Sequence, residues 1–139
     1  MAYEKALKVS KNNTNEIDLG SDTRVVVGRT ILQKASNDEE QTKVMELISG
    51  RAHRVITAVC VIDKKGKAIV KAVTTRLVIK KFSKKEISDY VASKTWVGCC
   101  GFRVETMECF VKKIIGSYSG VVGLPLYETR NMLIGVGVK

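Results

Sequence analysis

The sequence contains four cysteines and a single histidine, residue types that could bind zinc or, for the cysteines, form disulfides. Cys99 and Cys100 are adjacent, Cys60 and Cys109 are isolated, and no Cys-x-x-Cys pair occurs. Neither a zinc site nor a disulfide framework has this spacing, and His53 alone cannot supply the missing metal ligands. We therefore interpret the cysteines as small buried hydrophobic residues in a reducing compartment. We interpret His53 as a hydrogen-bonded structural residue.

Three glycines near the C-terminal end have the residue type of a phosphate-binding loop. They are Gly116, Gly120 and Gly123. Neither a Walker sequence nor a Gly-x-Gly-x-x-Gly fingerprint surrounds them. We expect these glycines to serve tight backbone turns.

The chain is strongly basic, which favours an anionic partner. It carries 24 Lys and Arg residues against 14 Asp and Glu residues, a formal net charge of +10 with the single His neutral. Such a balance suits nucleic acid, a membrane surface or a phosphorylated small molecule. Only 6% of the residues are aromatic, which leaves little material for the base-stacking surfaces of single-strand binders. Nucleic acid is therefore the second candidate partner. The charged residues are spread along the chain, as expected for surfaces that face water.

Length and composition indicate one globular domain spanning residues 1–139. Of the 139 residues, 45% are hydrophobic and 27% are charged, the balance of a chain that buries a core. The longest stretch without a charged residue, Ile114–Tyr127, is too short for a spanning helix and contains Pro125. The first residues lack the apolar run of a signal peptide, so we expect a cytoplasmic protein without a membrane partner.

Capping and periodicity signals predict the helices. The pattern Ser-x-x-Glu of a capping box precedes apolar residues at helical spacing twice, at Ser36 and at Ser83. We expect the first of these helices to end at Gly50 and the second at about Ser93. Further helices are predicted over Met1–Ser10 and from Pro125 to Gly135, and Met107–Ile115 is compatible with a helix or a strand.

Residues rich in Val, Ile and Thr predict the strands. Arg54–Ile62 and Ala68–Ile79 form a long β-hairpin, and Glu16–Leu19 and Arg24–Val27 are strands broken at Gly20–Thr23. The first hairpin strand is apolar on both faces, so it needs layers on both sides. The predicted fold class is α/β, a mixed twisted sheet with a long β-hairpin, flanked by helices.

Five short motifs follow one another along nearly the whole chain. They are Glu4-Lys5-Ala6; Gly20-Ser21-Asp22-Thr23 with Lys34 downstream; Ser49-Gly50-Arg51-Ala52-His53-x-Val55-x-Thr57; Tyr90-Val91-Ala92-Ser93; and Gly116-Ser117-Tyr118-Ser119-x-Val121-Val122-Gly123-Leu124-Pro125-Leu126 with Glu128-Thr129. In this order they resemble the Maf-like nucleoside triphosphate pyrophosphatases. The resemblance implies a fold related to the inosine-triphosphatase class and hydrolysis of a nucleoside triphosphate to the monophosphate and pyrophosphate. It also implies a divalent metal, usually magnesium, and an association with inhibition of septum formation.

The resemblance assigns roles to individual residues. Asp22 falls on the family's proposed general base, Lys5 and Lys34 on its phosphate-binding lysines, and Thr23 and Glu105 on positions tied to base selectivity. These residue types suit the reaction, because cations stabilise charge on the phosphate oxygens and a carboxylate accepts the proton of the attacking water. Without the resemblance, Asp22 would be a turn or cap residue and the lysines solvated surface groups.

The sequence departs from the family's pattern at several positions. Lys34 is followed by Ala35 where the family has proline, and Gly98-Cys99-Cys100-Gly101 replaces an acid-lysine-alanine-glycine stretch. Thr23 resembles the pyrimidine-selective members, which carry Gln at the place of Glu105. Glu105 instead resembles the group acting on 7-methylguanosine triphosphate, so the base stays open.

The matching region begins after the family's first strand and its Ser-Pro-Arg-Arg type motif. Loss of an edge strand exposes backbone groups that pair with another chain, so we expect self-association into a homo-oligomer. The hypothesis is an N-terminally truncated fragment whose activity is weak or absent unless the missing segment is supplied. Two alternatives come from other classes, a non-enzymatic basic module that binds nucleic acid or another polyanion, and a structural remnant that associates with a partner.

Overall fold

The computed structural model describes residues 16–138. The predicted helix Met1–Ser10 and Lys5 therefore lie outside the described residues. The described elements, in chain order, are β1 (Asp18–Val27), β2 (Thr30–Ile31), α1 (Asp38–Ile48), β3 (Ala52–Ile62), β4 (Ala68–Ile79), α2 (Lys84–Ser93), α3 (Val104–Met107), β5 (Val111–Ile115), α4 (Tyr118–Val122) and α5 (Leu126–Gly135). A 3-10 turn over Glu108–Phe110 joins α3 to β5. None of the described helices is both long and apolar enough to cross a membrane.

The five strands form one sheet in the order β2-β1-β3-β4-β5. β1 pairs with β2 and β4 with β5, both antiparallel. The predicted hairpin of β3 and β4 is present, and its charged tip is a tight turn. There the carboxylate of Asp63 accepts the N–H groups of Lys65 and Lys67 at 2.9 and 2.8 Å. The α/β fold class, with its long hairpin and flanking helices, is confirmed.

The predicted break at Gly20–Thr23 is wrong, because β1 runs without interruption from Asp18 to Val27. Gly, Ser and Asp have weak strand propensity, which is why the sequence pattern indicated two strands. In the sheet, β1 is hydrogen-bonded to β3 along its side, and these long-range partners outweigh the local preference. Asp22 consequently lies inside a strand and not in a loop.

Both predicted capping-box helices are present, and one of them begins at a different residue from the one predicted. α2 begins as predicted, because Ser83 accepts the N–H of Glu86 and the Glu86 carboxylate accepts the N–H of Ser83. α1 begins one residue later than predicted. Its N-cap is Asn37, whose side chain accepts the N–H of Glu40 at 2.8 Å. In α5, Pro125 is the N-cap residue, and Gly135 is the last helical residue.

The described chain divides into two compact units. Unit 1 contains residues 16–23, 56–74 and 117–138, and unit 2 contains residues 24–55 and 75–116. The core of unit 1 includes Val59, Val61 and Met132. In unit 2, Met45 and Ile48 of α1 are completely buried, and the indole N–H of Trp96 donates to the carbonyl of Val91 at 2.9 Å.

Candidate active site

In unit 1, the predicted general base and one predicted base-selective residue are neighbours in β1. Asp22 and Thr23 are both half-buried. The Thr23 hydroxyl lies 3.1 Å from the hydroxyl of Thr57 on β3. Thr57 is completely buried, and its hydroxyl donates to the carbonyl oxygen of Gly120 at 2.6 Å.

Gly120, whose carbonyl accepts the Thr57 bond, lies in a serine-rich segment that holds it in place. Ser117 is the N-cap of α4 and accepts the N–H of Gly120 at 2.9 Å. The hydroxyls of Ser117 and Ser119 lie 3.1 Å apart, and Ser119 also accepts the N–H of Leu126 at 2.9 Å. A Cβ atom built on Gly120 would lie 3.2 Å from the Ser117 side chain, so close packing explains the glycine at this position.

These four hydroxyl residues, Thr23, Thr57, Ser117 and Ser119, form what we term the hydroxyl cluster. The cluster joins three motifs that lie far apart in the sequence. Thr23 and Thr57 are 34 residues apart, and Thr57 and Gly120 are 63 residues apart. Thr57 was missed as a candidate site residue. The signal that could have found it is its position as a polar residue in the apolar strand that we predicted to be buried on both faces.

In unit 2, Lys34 and Glu105 both lie beside the vicinal cysteines. Lys34 is exposed and pairs with Cys100 in an isolated antiparallel bridge. Glu105 is exposed in the first turn of α3. Burial raises the pKa of the Cys99 thiol, Arg103 opposes the rise, and the negative charge of Glu105 adds to it. The structure thus places Asp22 with Thr23, Lys34 next to Cys100, and Glu105 close enough to Cys99 to affect its thiol.

The remaining residues with metal-binding or redox chemistry are dispersed. Cys60 is buried as predicted, which raises the pKa of its thiol, whereas Cys109 is exposed and does not fit the prediction of buried cysteines. His53 is buried 5.9 Å from the Phe102 ring, edge to face. Burial lowers the pKa of His53 to about 4, so the ring is neutral near pH 7. Its Nδ1 has no hydrogen-bond partner in the part of the chain that the structure describes.

The cavity between α1 and α2 contains none of the predicted site residues. It encloses about 430 Å³ and is lined by residues of both helices, among them Asp38, Glu46 and Lys84. Between residues 16 and 138, no three His, Cys, Asp or Glu side chains are grouped as ligands of a metal ion would be.

Comparison with known proteins shows what this chain is similar to. A protein from Agrobacterium fabrum (strain C58) is 42% identical over 99% of the chain and 68% of its own length. Proteins from Sphingopyxis alaskensis and Rhodopseudomonas palustris (strain HaA2) are 43% and 46% identical, over 99% and 86% of the chain and 73% and 58% of their own lengths. All three bear the name dTTP/UTP pyrophosphatase. Residues 1–136 match the family described as Maf-like protein. The chain therefore belongs to the Maf-like protein family.

Proposed function

We propose that this chain is a nucleoside triphosphate pyrophosphatase that hydrolyses dTTP and UTP to the monophosphate and pyrophosphate. The observation that carries the proposal is the name dTTP/UTP pyrophosphatase, shared by relatives 42 to 46% identical to the chain. Thr23 agrees with a pyrimidine substrate through the resemblance described above. Glu105 alone points toward 7-methylguanosine triphosphate, and the names of the relatives favour the pyrimidine.

Asp22 is the proposed general base of this reaction. A carboxylate held by a hydrogen-bonded strand has a rigid support, which a base needs if it is to meet the attacking water in a fixed geometry. β3 neighbours β1 in the sheet, whereas β2 pairs with β1 only at Val26 and Val27. Lys5 and Lys34 would bind the phosphates, and the exposed Lys34 ammonium is accessible to such a ligand.

The proposal includes a magnesium ion that is held mainly by the substrate. Mg²⁺ in enzymes that act on phosphates keeps several waters and is bound by one or two carboxylates together with phosphate oxygens. When bound, the ion would neutralise charge on the triphosphate.

The cellular setting belongs to the same proposal. We infer a cytoplasmic enzyme of nucleotide metabolism, with the association with restrained septum formation that the family resemblance implies. Self-association is proposed from the exposed apolar side chains of α4 and α5, which include Val122, Leu126 and Tyr127 at 53, 62 and 74% exposure.

The test is pyrophosphate release by the full chain with magnesium and a panel of dTTP, UTP, GTP and 7-methyl-GTP. We expect release from dTTP and UTP, and a loss of about 100-fold or more in Asp22→Asn, because general bases contribute on that scale. Asp89→Asn, the same change at an exposed carboxylate of α2, is the matched control and should retain the rate.

Two results would contradict the proposal. Turnover of Asp22→Asn at the rate of the parent chain would remove Asp22 from the mechanism. No release from any nucleotide by a chain that circular dichroism shows to be folded would overturn the activity itself.

A further inference from the structure

The β3–β4 hairpin keeps one register from its tip to its open end. At the tip, the N–H of Asp63 donates to the carbonyl of Lys67 at 2.9 Å, and at the open end the N–H of Ile79 donates to the carbonyl of Arg51 at 3.0 Å. Arg51 and Asp63 are as far apart in the chain as Lys67 and Ile79. The residues between these two pairs therefore follow a single antiparallel register.

In this register, Arg54 of β3 lies directly opposite Arg76 of β4. Hydrogen-bonded and non-hydrogen-bonded pairs alternate along antiparallel strands. The two arginines are a non-hydrogen-bonded pair, the kind whose side chains lie closer together. Both are exposed, whereas the residues that follow them, Val55 and Leu77, are buried. The arginines thus share the sheet face that points away from the core of unit 2.

β5 contributes a third cation to the same face. Arg76 pairs with Ile115, and Lys113 follows two positions away on that strand, diagonally across from Arg76. Lys113 is exposed. We call Arg54, Arg76 and Lys113 the basic patch, and all three belong to unit 2.

Within the described chain, the charge of the basic patch is uncompensated. Like charges that face each other across a sheet destabilise it. No carboxylate between residues 16 and 138 forms an ion pair with any of the three side chains. Their neighbours on β4 and β5, Val78 and Ile115, are apolar. Such an arrangement suits a bound anion.

The types of the three cations indicate the class of anion. A guanidinium group is a planar fork that binds two oxygens of one phosphoryl group. Two facing forks therefore suit two joined phosphoryl groups, whereas a carboxylate would occupy only one fork. The ammonium of Lys113 adds a point charge for the remaining anionic oxygens.

We propose that Arg54, Arg76 and Lys113 form a binding site for a diphosphate group on the exposed face of the sheet. Two sources share this chemistry, free pyrophosphate and the phosphate chain of a nucleotide. The basic patch includes none of the residues assigned to the reaction above. The inference therefore goes beyond the proposed function.

The test is calorimetric titration of the full chain with sodium pyrophosphate at fixed ionic strength. The parent chain should bind pyrophosphate. In Arg54→Gln/Arg76→Gln one binding event should weaken about tenfold or more, because hydrogen bonds between charged groups contribute on that scale. No binding by the parent chain, or equal binding by the double variant, would overturn the inference.

A matched control separates a site from the net charge of the protein. Arg29 follows β1 and Arg130 lies on α5, and both are exposed. Arg29→Gln/Arg130→Gln removes the same charge and should retain the affinity for pyrophosphate. An equal loss of affinity in the two double variants would show that binding follows net charge, and would overturn the site.

Thermal unfolding gives a second measurement that requires only a folded chain. Pyrophosphate should raise the Tm of the parent chain more than that of Arg54→Gln/Arg76→Gln, because a ligand that binds the folded state stabilises it. Sodium chloride at matched ionic strength is the reference. Equal rises in Tm would contradict the proposal.

Other anions identify the source and the class of the ligand. A non-hydrolysable UTP analogue that depends on the two arginines would assign the site to nucleotides as well, and an analogue that does not would assign it to free pyrophosphate. Inorganic phosphate bound as tightly as pyrophosphate would overturn the diphosphate class. A single-stranded oligonucleotide bound more tightly than pyrophosphate would make the patch a nucleic-acid surface and overturn it too.

Failure of this inference and failure of the proposed function are distinguishable. Binding is measured without turnover, so a chain that hydrolyses no nucleotide can still bind pyrophosphate at the basic patch. Asp22→Asn should retain the binding event that Arg54→Gln/Arg76→Gln weakens. Loss of that same event in Asp22→Asn would overturn a site that is independent of the reaction.

Discussion

Thr57 and His53 are two buried polar side chains of β3, and the protein accommodates them in different ways. Thr57 has both a donor and an acceptor contact within the hydroxyl cluster, so its burial is offset by hydrogen bonds. His53 instead stays uncharged, because burial lowers its pKa to about 4. Thr57 is therefore suited to hold neighbouring groups of the site in place, whereas His53 makes the stability of the fold depend on pH.

We expect His53 to destabilise the fold in mild acid. Its pKa is about 4 when folded against an ordinary value of 6.5, so the unfolded chain binds the proton more tightly. The stability that the neutral ring provides is complete above about pH 6.5 and is lost as the pH falls toward 4, by about 2 kcal/mol at pH 5. Urea unfolding at pH 7 and pH 5 measures this loss.

His53→Leu is the comparison variant for that experiment, since leucine cannot titrate and suits a buried site beside Phe102. The carboxylates of the protein titrate in both chains, so the difference between the two pH dependences isolates the histidine. Equal losses of unfolding free energy in the two chains would show that His53 is not the group responsible.

At the scale of elements, capping signals located the start of α2 and placed the start of α1 within one residue, whereas the short helix α4 lies where a turn was predicted. Both predicted capping boxes precede real helices, but α1 uses Asn37 where the Ser-x-x-Glu pattern pointed to Ser36. In the structure the roles are shifted by one position. Asn37 accepts the N–H of Glu40, and the Glu40 carboxylate accepts the N–H of Ser36 at 2.7 Å. That backbone contact is the main reason why the pKa of Glu40 is lowered.

Two alanine substitutions test which of these two residues caps α1. Asn37→Ala removes the side chain that caps α1 and should lower the free energy of unfolding by about 1 kcal/mol. Ser36→Ala leaves its backbone N–H in place and should change it by less than about 0.5 kcal/mol. Urea denaturation of both variants at pH 7 checks the prediction. A larger loss of unfolding free energy in Ser36→Ala than in Asn37→Ala would show that Ser36 is the N-cap, as the sequence pattern indicated.

At the scale of the whole molecule, the net charge of +10 is the dominant long-range property. A positive field attracts a triphosphate and raises its local concentration, and dissolved salt screens that attraction. A nucleic-acid-binding module would use the same charge but would follow a steep power law in salt, because many phosphate contacts release counterions.

We expect kcat/KM for UTP to fall severalfold between about 50 and 500 mM NaCl, mainly through a higher KM, because screening weakens capture of the substrate. Initial rates at several UTP concentrations and fixed free magnesium measure this. Sucrose at matched osmolality is the control and should have little effect. A kcat/KM that does not change with salt would show that the basic surface plays no part in binding the triphosphate.

The sequence by itself determined the family, the long hairpin, the two capped helices and the candidate residues of the site. Those features depend on side-chain periodicity, capping residues and motifs, which act over a few neighbouring positions. The roles proposed for Asp22, Lys5, Lys34, Thr23 and Glu105, the single domain and the missing N-terminal segment stay predictions.

The tertiary structure alone decided how distant segments meet. β1 is continuous through Gly20–Thr23 because β3, its neighbour in the sheet, stabilises an extended conformation that the local residues do not favour. The ambiguous Met107–Ile115 divides between the end of α3, a 3-10 turn and β5, where Ile114 pairs with Leu77 of β4. Thr57 acquires its partners from residues 34 and 63 positions away. No local pattern encodes such contacts, because they exist only once the chain has folded and water has been excluded around them.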